Sequence, residues 1–226
     1  MKKLTKTKLI TFNTTVLAFL TVFTFITIPS LGTHIAALIL LVVVVASIFG
    51  GWKSALFASA AMGILSLIRS FVMPGVLAPL FWNPMVSVVA RLFIGPAVFG
   101  TYRLLRIFTA RIKNVQAQEV VSISVAGAVA AVVNTGLVFL MMWLFFDGDA
   151  MFGTRSLYAW FLFLLGANFP WEIGMCAALS APILLALKKS FRVEFVPVNT
   201  KDDNREEEDD IAIEAAALET TDSTVK

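Results

Sequence analysis

The chain has 226 residues, 58% hydrophobic and only 15% charged, against about 45–50% apolar and about 25% charged in a soluble domain; this argues against a soluble globular fold. One cysteine, Cys176, leaves no disulfide within the chain, and one histidine, His34, leaves little room for zinc chemistry. The formal net charge of +3 averages two regions, since residues 201–226 hold ten acids and three bases while the first 200 residues are strongly basic.

In chain order, the first apolar run covers about 9–29 and follows Lys2, Lys3, Lys6 and Lys8. It is long for a secretory signal and the residues after it offer no convincing cleavage site, so it reads as a span. The second run, about 34–49, ends at Gly50-Gly51-Trp52-Lys53, and the third occupies about 54–72. A proline-punctuated loop, 73–83, leads to the fourth, about 83–107. Asn83-Pro84 suits its start, because Asn caps a helix and Pro fits the first helical position. Arg103, Arg106, Arg111 and Lys113 are expected in the next connection. The fifth run covers about 120–146, a polar loop with Asp147, Asp149 and Arg155 follows, and the sixth covers about 168–187. The apolar piece at 157–165 is too short to cross by itself and reads as re-entrant or interfacial.

With six crossings, the N-terminal lysines, Lys53, the Arg103 to Lys113 group and Lys188, Lys189 and Arg192 all fall on one side. Lys and Arg collect on the cytoplasmic side. The expected fold is therefore an all-α membrane protein, a six-transmembrane-helix bundle with both termini cytoplasmic. Residues 1–193 form the membrane domain, and the acidic segment 194–226 reads as a solvated, disordered cytoplasmic tail. The bases lie between apolar runs rather than in a patch, so no nucleic-acid partner is expected. Small residues four apart, Ala55/Ser59/Gly63, Gly127/Ala131 and Gly174/Ala178, permit close helix packing.

Polar residues inside the spans point to function, since a charge at a helix centre costs roughly 2.5–3.5 kcal/mol to insert. Asn83, Ser87 and Arg91 are spaced i, i+4, i+8 and are expected as one stripe on the fourth span. Arg69 lies near the outer end of the third, and Asn134 in the fifth. Asn168 and Glu172 share a face at the outer end of the sixth, where Glu172 reads as the lone embedded carboxylate. The inner half of the spans reads as almost entirely apolar. Two guanidiniums, a carboxylate and three amides at one end suit a small polar solute with a carboxylate, which arginine grips bidentately; Trp82 or Trp171 could cover an apolar part of it. For Arg69 the alternative is snorkelling to the interface, for Trp171 a place in the aromatic belt, for Asn134 a bond to a neighbouring helix, and for Arg91 a structural pair with Glu172.

The runs Gly63-Ile64-Leu65-Ser66-Leu67-Ile68-Arg69 and Asn83-Pro84-Met85-Val86-Ser87-Val88-Val89-Ala90-Arg91 resemble the substrate-binding S components of energy-coupling factor transporters. Asn134-Thr135-Gly136 and Asn168 to Glu172 support the likeness, which covers about residues 8–190 and is closest to the pantothenate-type members. The resemblance implies a six-helix protein that captures a vitamin, here a carboxylate such as pantothenate. Its implied partners are a transmembrane T component and two cytoplasmic ATPases, and the S component topples in the membrane to release its substrate. Where many members carry Ala-x-x-x-Ala for docking on the T component, this chain has Thr14-Thr15-Val16-Leu17-Ala18, so Thr14 and Ala18 are the matching small residues. The implied location is a bacterial cell membrane, with the chain crossing it several times.

An enzyme is not expected: the chain lacks a Walker loop, a His-Glu-x-x-His pair and a nucleophile elbow, and no cofactor is implied. The alternative function is a free-standing secondary transporter or channel for a small organic anion. That would need a coupling-ion site or polar residues through the whole depth, and the two halves show no inverted repeat.

Overall fold

The structure, a computed structural model, describes residues 6–26, 36–73, 78–109, 114–146 and 169–191. Within them every regular element is helical: α1 (Lys6–Phe25), α2 (Ala36–Val72), α3 (Ala78–Phe81), a π-helical turn over Met85–Val89, α4 (Ala90–Leu92), α5 (Ile94–Phe108), α6 (Val115–Phe146) and α7 (Phe169–Phe191). Four stretches are long and apolar enough to cross a bilayer: Ala37–Val72, Met85–Phe108, Val115–Phe146 and Phe169–Ser190. The apolar part of α1, Leu9–Phe25, is shorter. The expected piece at 157–165, the loop at 27–35, Asn168 and the acidic tail lie outside the described residues.

The second and third apolar runs, expected as separate spans, meet in the single element α2. A straight helix of its 37 residues would be about 55 Å long, well beyond a hydrocarbon core of about 30 Å. The path is broken at Gly51, where φ is +76° and ψ −167°, a conformation that glycine adopts without a Cβ penalty. Contacts on either side establish that the chain folds back there. Ala37 accepts a long contact, 3.8 Å, from the Cys176 thiol on α7, while Gly63 packs on Ser87 and Val88. In a straight helix Ala37 and Gly63 would be about 39 Å apart, yet both touch elements at the same end of the bundle.

The fourth span is not one continuous α-helix. Pro96 lacks an N–H and its ring would clash with the carbonyl four residues back, that of Leu92. The helix accordingly stops at Leu92, turns at Phe93 and restarts at Ile94, which puts Pro96 in the first turn, where proline is tolerated. The break leaves the Gly95 N–H without a helical acceptor, and the Ser59 hydroxyl of α2 takes it at 2.7 Å. A Cβ on Gly95 would collide with the Ala55 carbonyl and lie 2.5 Å from Ser59 Oγ, so the small faces of α2 and α5 are matched.

From this contact α2 and α5 run antiparallel, with Trp52 beside Phe99 at one end and Ser70 bonded by Trp82 at the other. α6 and α7 are also antiparallel neighbours: Thr135 meets Glu172, Gly127 meets Cys176, Ser180 donates to the Ile123 carbonyl, and Lys188 meets Glu119. The steps of four on both helices keep one face of each against the other. The interior is lined by small side chains, among them Ala55, Ala58, Ser59, Ala126, Ala130, Ala131 and Ser180, while Phe57, Ile64, Leu140, Trp143 and Leu144 are exposed. That arrangement suits a protein in lipid, where close backbone approach rather than hydrophobic burial holds helices together. Two of the three expected small faces pack within the chain; Gly174 and Ala178 of the third are exposed.

Candidate functional site

Arg91 sits on the three-residue helix α4, between the π-helical turn and the break at Phe93. The π turn starts where Asn83 Oδ1 accepts the Met85 N–H at 2.9 Å and the Asn83 carbonyl accepts the N–H groups of Val86 and Ser87. Asn83 thus acts as the cap of this segment, half-buried, as its place before Pro84 suggested. The π turn at Met85–Val89 lies between Asn83 and Arg91, so this segment is not the regular α-helix on which an even i, i+4, i+8 stripe rests. Ser87 is fully buried and its hydroxyl donates to the Phe81 carbonyl.

Arg91 is 9% exposed. Its Nη1 donates to the Ser87 carbonyl at 3.0 Å and its guanidinium lies 5.3 Å from the centre of the Phe81 ring. Its Nε is buried without a hydrogen-bond partner. Among the described residues Arg91 makes no ion pair. Glu172, half-buried, accepts the Thr135 hydroxyl at 3.4 Å. The preceding residue, Asn134, is buried, and its Oδ1 also has no partner. One end of the bundle therefore carries a buried guanidinium, a carboxylate and an amide oxygen, each with hydrogen-bonding capacity left over. Buried polar groups in proteins are nearly always satisfied; Arg91 Nε and Asn134 Oδ1 are exceptions, as is Arg106 Nε at the other end of the bundle.

The other expected members are placed as follows. Arg69 is half-buried in the last turn of α2, and neither of Arg91's two contacts is to it. Trp82 stacks on Phe71 at 5.8 Å and donates its indole N–H to the Ser70 carbonyl at 3.1 Å, which ties it to α2 and leaves it exposed. Trp171 is 65% exposed, a position that fits an interfacial aromatic. Thr14 and Ala18 lie on the exposed face of α1, with the Thr14 hydroxyl donating to the Ile10 carbonyl at 3.0 Å.

A second polar cluster, at the opposite end, corrects two expectations. Glu119 is 1% exposed and accepts Lys188 Nζ at 2.7 and 2.8 Å and Arg106 Nη1 at 3.5 Å. Arg106 is not a loop base: it lies on α5, 5% exposed, bonded to the Tyr102 hydroxyl at 3.2 Å, and its carbonyl accepts Gln118 Nε2 at 3.0 Å. Glu172 is therefore not the lone embedded carboxylate, and this half of the bundle is not wholly apolar. The signal was present in the sequence, since Arg106 and Glu119 flank a short connection between antiparallel helices, which brings residues 13 apart side by side. Arg103, by contrast, is exposed over the Phe99 ring at 5.1 Å.

Thr135 and Glu119 are 16 residues apart on α6, about 24 Å along the axis. Among the described residues no charged side chain lies between the two clusters on α6 or α7. No protein-family model matches the chain, and no curated protein does either.

Proposed function

We propose that the chain is the substrate-capturing membrane subunit of an importer of the energy-coupling factor type, binding a small carboxylate vitamin, with pantothenate the best candidate. The observation that carries this reading is the buried Arg91 guanidinium with an unpartnered Nε. A carboxylate accepts from Nε and the free guanidinium edge at once. A hydroxyl or amide N–H on the same ligand donates to Asn134 Oδ1. Phe81 holds the guanidinium from behind by a cation–π contact, which orients it before the ligand arrives.

In this reading the helices form six crossings with both termini cytoplasmic, and the Arg91 end faces outward in a bacterial cell membrane. Asn83 and Ser87 shape the helix start that carries Arg91, and Glu172 completes the polar rim, to which the sequence alone assigns Asn168. Arg69, Trp82 and Trp171 surround the entrance. Thr14 and Ala18 on the exposed face of α1 dock on a transmembrane T component, which works with two cytoplasmic ATPases. Among the described residues, the lack of charged side chains on α6 and α7 between the two clusters supports capture over conduction, and the energy for release comes from those partners.

The test is binding of pantothenate to the purified chain alone, followed by uptake into proteoliposomes with and without the partner subunits. Tight binding without ATP and negligible uptake by the chain alone are expected. Sustained uptake driven by an ion gradient, with no partner present, would instead establish the free-standing transporter.

A further inference from the structure

We infer that Trp82 sets the affinity for the carboxylate ligand without touching it, as a positioning residue that acts through Phe81 on Arg91. The inference rests on the reading of Arg91 as the carboxylate-binding group. The Trp82 indole has one polar atom, a donor, and it is already used: its N–H goes to the Ser70 carbonyl of α2 at 3.1 Å. Its ring lies parallel to that of Phe71, with 5.8 Å between centres and 3° between planes. Bond and stack together fasten residue 82 to the last turn of α2.

The residue carried by this anchor is Phe81, which meets Arg91 by two routes. Its ring centre lies 5.3 Å from the guanidinium carbon. Its carbonyl accepts the hydroxyl of Ser87, whose own carbonyl accepts Arg91 Nη1 at 3.0 Å. Phe81, Ser87 and Arg91 thus close a circuit of contacts that fixes which way the guanidinium points. α2 holds this circuit at two places: Gly63 packs on the backbone of Ser87 and Val88 at the π turn, and Ser70 holds Trp82. The Ser70 hydroxyl also reaches the Phe81 carbonyl at 3.4 Å, but it has one proton and a nearer acceptor, the Leu67 carbonyl at 2.7 Å. The indole bond is therefore the firmer tie.

Loss of the Trp82 tie leaves the π turn seated on Gly63 and Arg91 bonded to Ser87, so the bundle is expected to stay folded. The Phe81 ring then loses its fixed position over the guanidinium. The ligand must order Arg91 as it binds, a cost that the anchored site avoids. Phe81 also packs on the cluster of Leu80, Val86 and Met142, which keeps it near its place and makes the expected loss partial.

The experiment is a double-variant cycle on the purified full chain, with pantothenate affinity measured by titration calorimetry for the unaltered chain, Trp82→Leu, Phe81→Leu and the two combined. Trp82→Leu is expected to weaken binding about fivefold, on the scale of one hydrogen bond. Phe81→Leu is expected to weaken it about tenfold, within the range of a desolvated cation–π contact. In the combined variant the loss stays near that of Phe81→Leu alone, because Trp82 has nothing left to act through. The alcohol analogue of pantothenate, with CH2OH in place of the carboxylate, supplies a readout that loosened packing does not move. Its affinity changes little in Trp82→Leu, so the preference for the acid over the alcohol falls by the factor lost for the acid. Unchanged pantothenate affinity in Trp82→Leu overturns the inference and leaves the carboxylate reading in place. So do losses that multiply to about fiftyfold in the combined variant, which put Trp82 on the ligand itself, and equal losses for acid and alcohol. Absence of pantothenate binding to the unaltered chain removes the carboxylate reading and this inference with it. If Trp82→Leu does not fold, Trp82→Phe, which keeps a ring on Phe71 and lacks the N–H, takes its place in the cycle. If the alcohol binds too weakly to measure, the cycle decides alone.

Discussion

Replacing Glu119 with Gln tests whether the Glu119 cluster holds the bundle together. The substitution keeps the side chain's shape and removes its charge. What remains is Arg106, 5% exposed, with a buried Nε that has no partner and a Tyr102 hydroxyl at 3.2 Å as its remaining side-chain bond. Lys188 also loses its carboxylate, but its side chain is 24% exposed and can turn toward water or headgroups. Removing one partner of a buried ion pair costs about 3–5 kcal/mol, because the other charge is left buried and uncompensated. The Tyr102 bond and the freedom of Lys188 place the expected loss at the low end, about 3 kcal/mol. Lys188→Met should cost less, about 1 kcal/mol, since Glu119 keeps Arg106 and the lost pair is partly exposed. The assay is reversible unfolding in mixed micelles, read as a change in unfolding free energy, with the double variant closing a cycle that isolates the Glu119–Lys188 coupling. A loss below about 1 kcal/mol for Glu119→Gln, or a larger loss for Lys188→Met, would refute the reasoning.

Two further predictions use the same assay or a binding measurement. Gly127→Ala places a Cβ 2.5 Å from the Cys176 carbonyl oxygen, so α6 and α7 must separate, at a cost of about 1–3 kcal/mol. Gly136→Ala meets nothing within 4 Å and should be neutral or stabilising by up to about 1 kcal/mol through helix propensity; equal effects at the two positions would contradict the packing described. Asn134→Leu removes a buried oxygen that has no partner, so stability is expected to hold or rise while pantothenate affinity falls about tenfold, or about 1.4 kcal/mol. A stability loss with affinity intact would make Asn134 a structural residue.

The apolar runs were legible because lipid demands long uninterrupted stretches, and α6 and α7 lie where those stretches do. What was not legible were the irregularities. The consequence of Pro96 for the carbonyl of Leu92 could have been read from the sequence; the Ser59 hydroxyl that satisfies Gly95 could not, because it comes from 36 residues away. The π turn at Met85–Val89 likewise has no local signature in Met-Val-Ser-Val-Val. Arg91, Asn134 and Glu172 stood out because charges and amides in spans are expensive. The stack of Trp82 on Phe71 was not legible, because an aromatic near a polar group looks the same in sequence whatever its ring faces. The pairing of Glu119 with Arg106 was legible from the short connection between them, but its burial and its bond to Lys188 were not, because they come from the partner helix 69 residues on.

The most direct measurement is the pantothenate dissociation constant of Arg91→Ala against that of the unaltered chain, both purified without partners and verified as folded. Loss of a charge-assisted contact in a desolvated site predicts a weakening of about 2 kcal/mol or more, roughly thirtyfold in affinity, with Arg91→Lys intermediate because a point charge replaces the fork. An unchanged dissociation constant in folded Arg91→Ala would contradict the account.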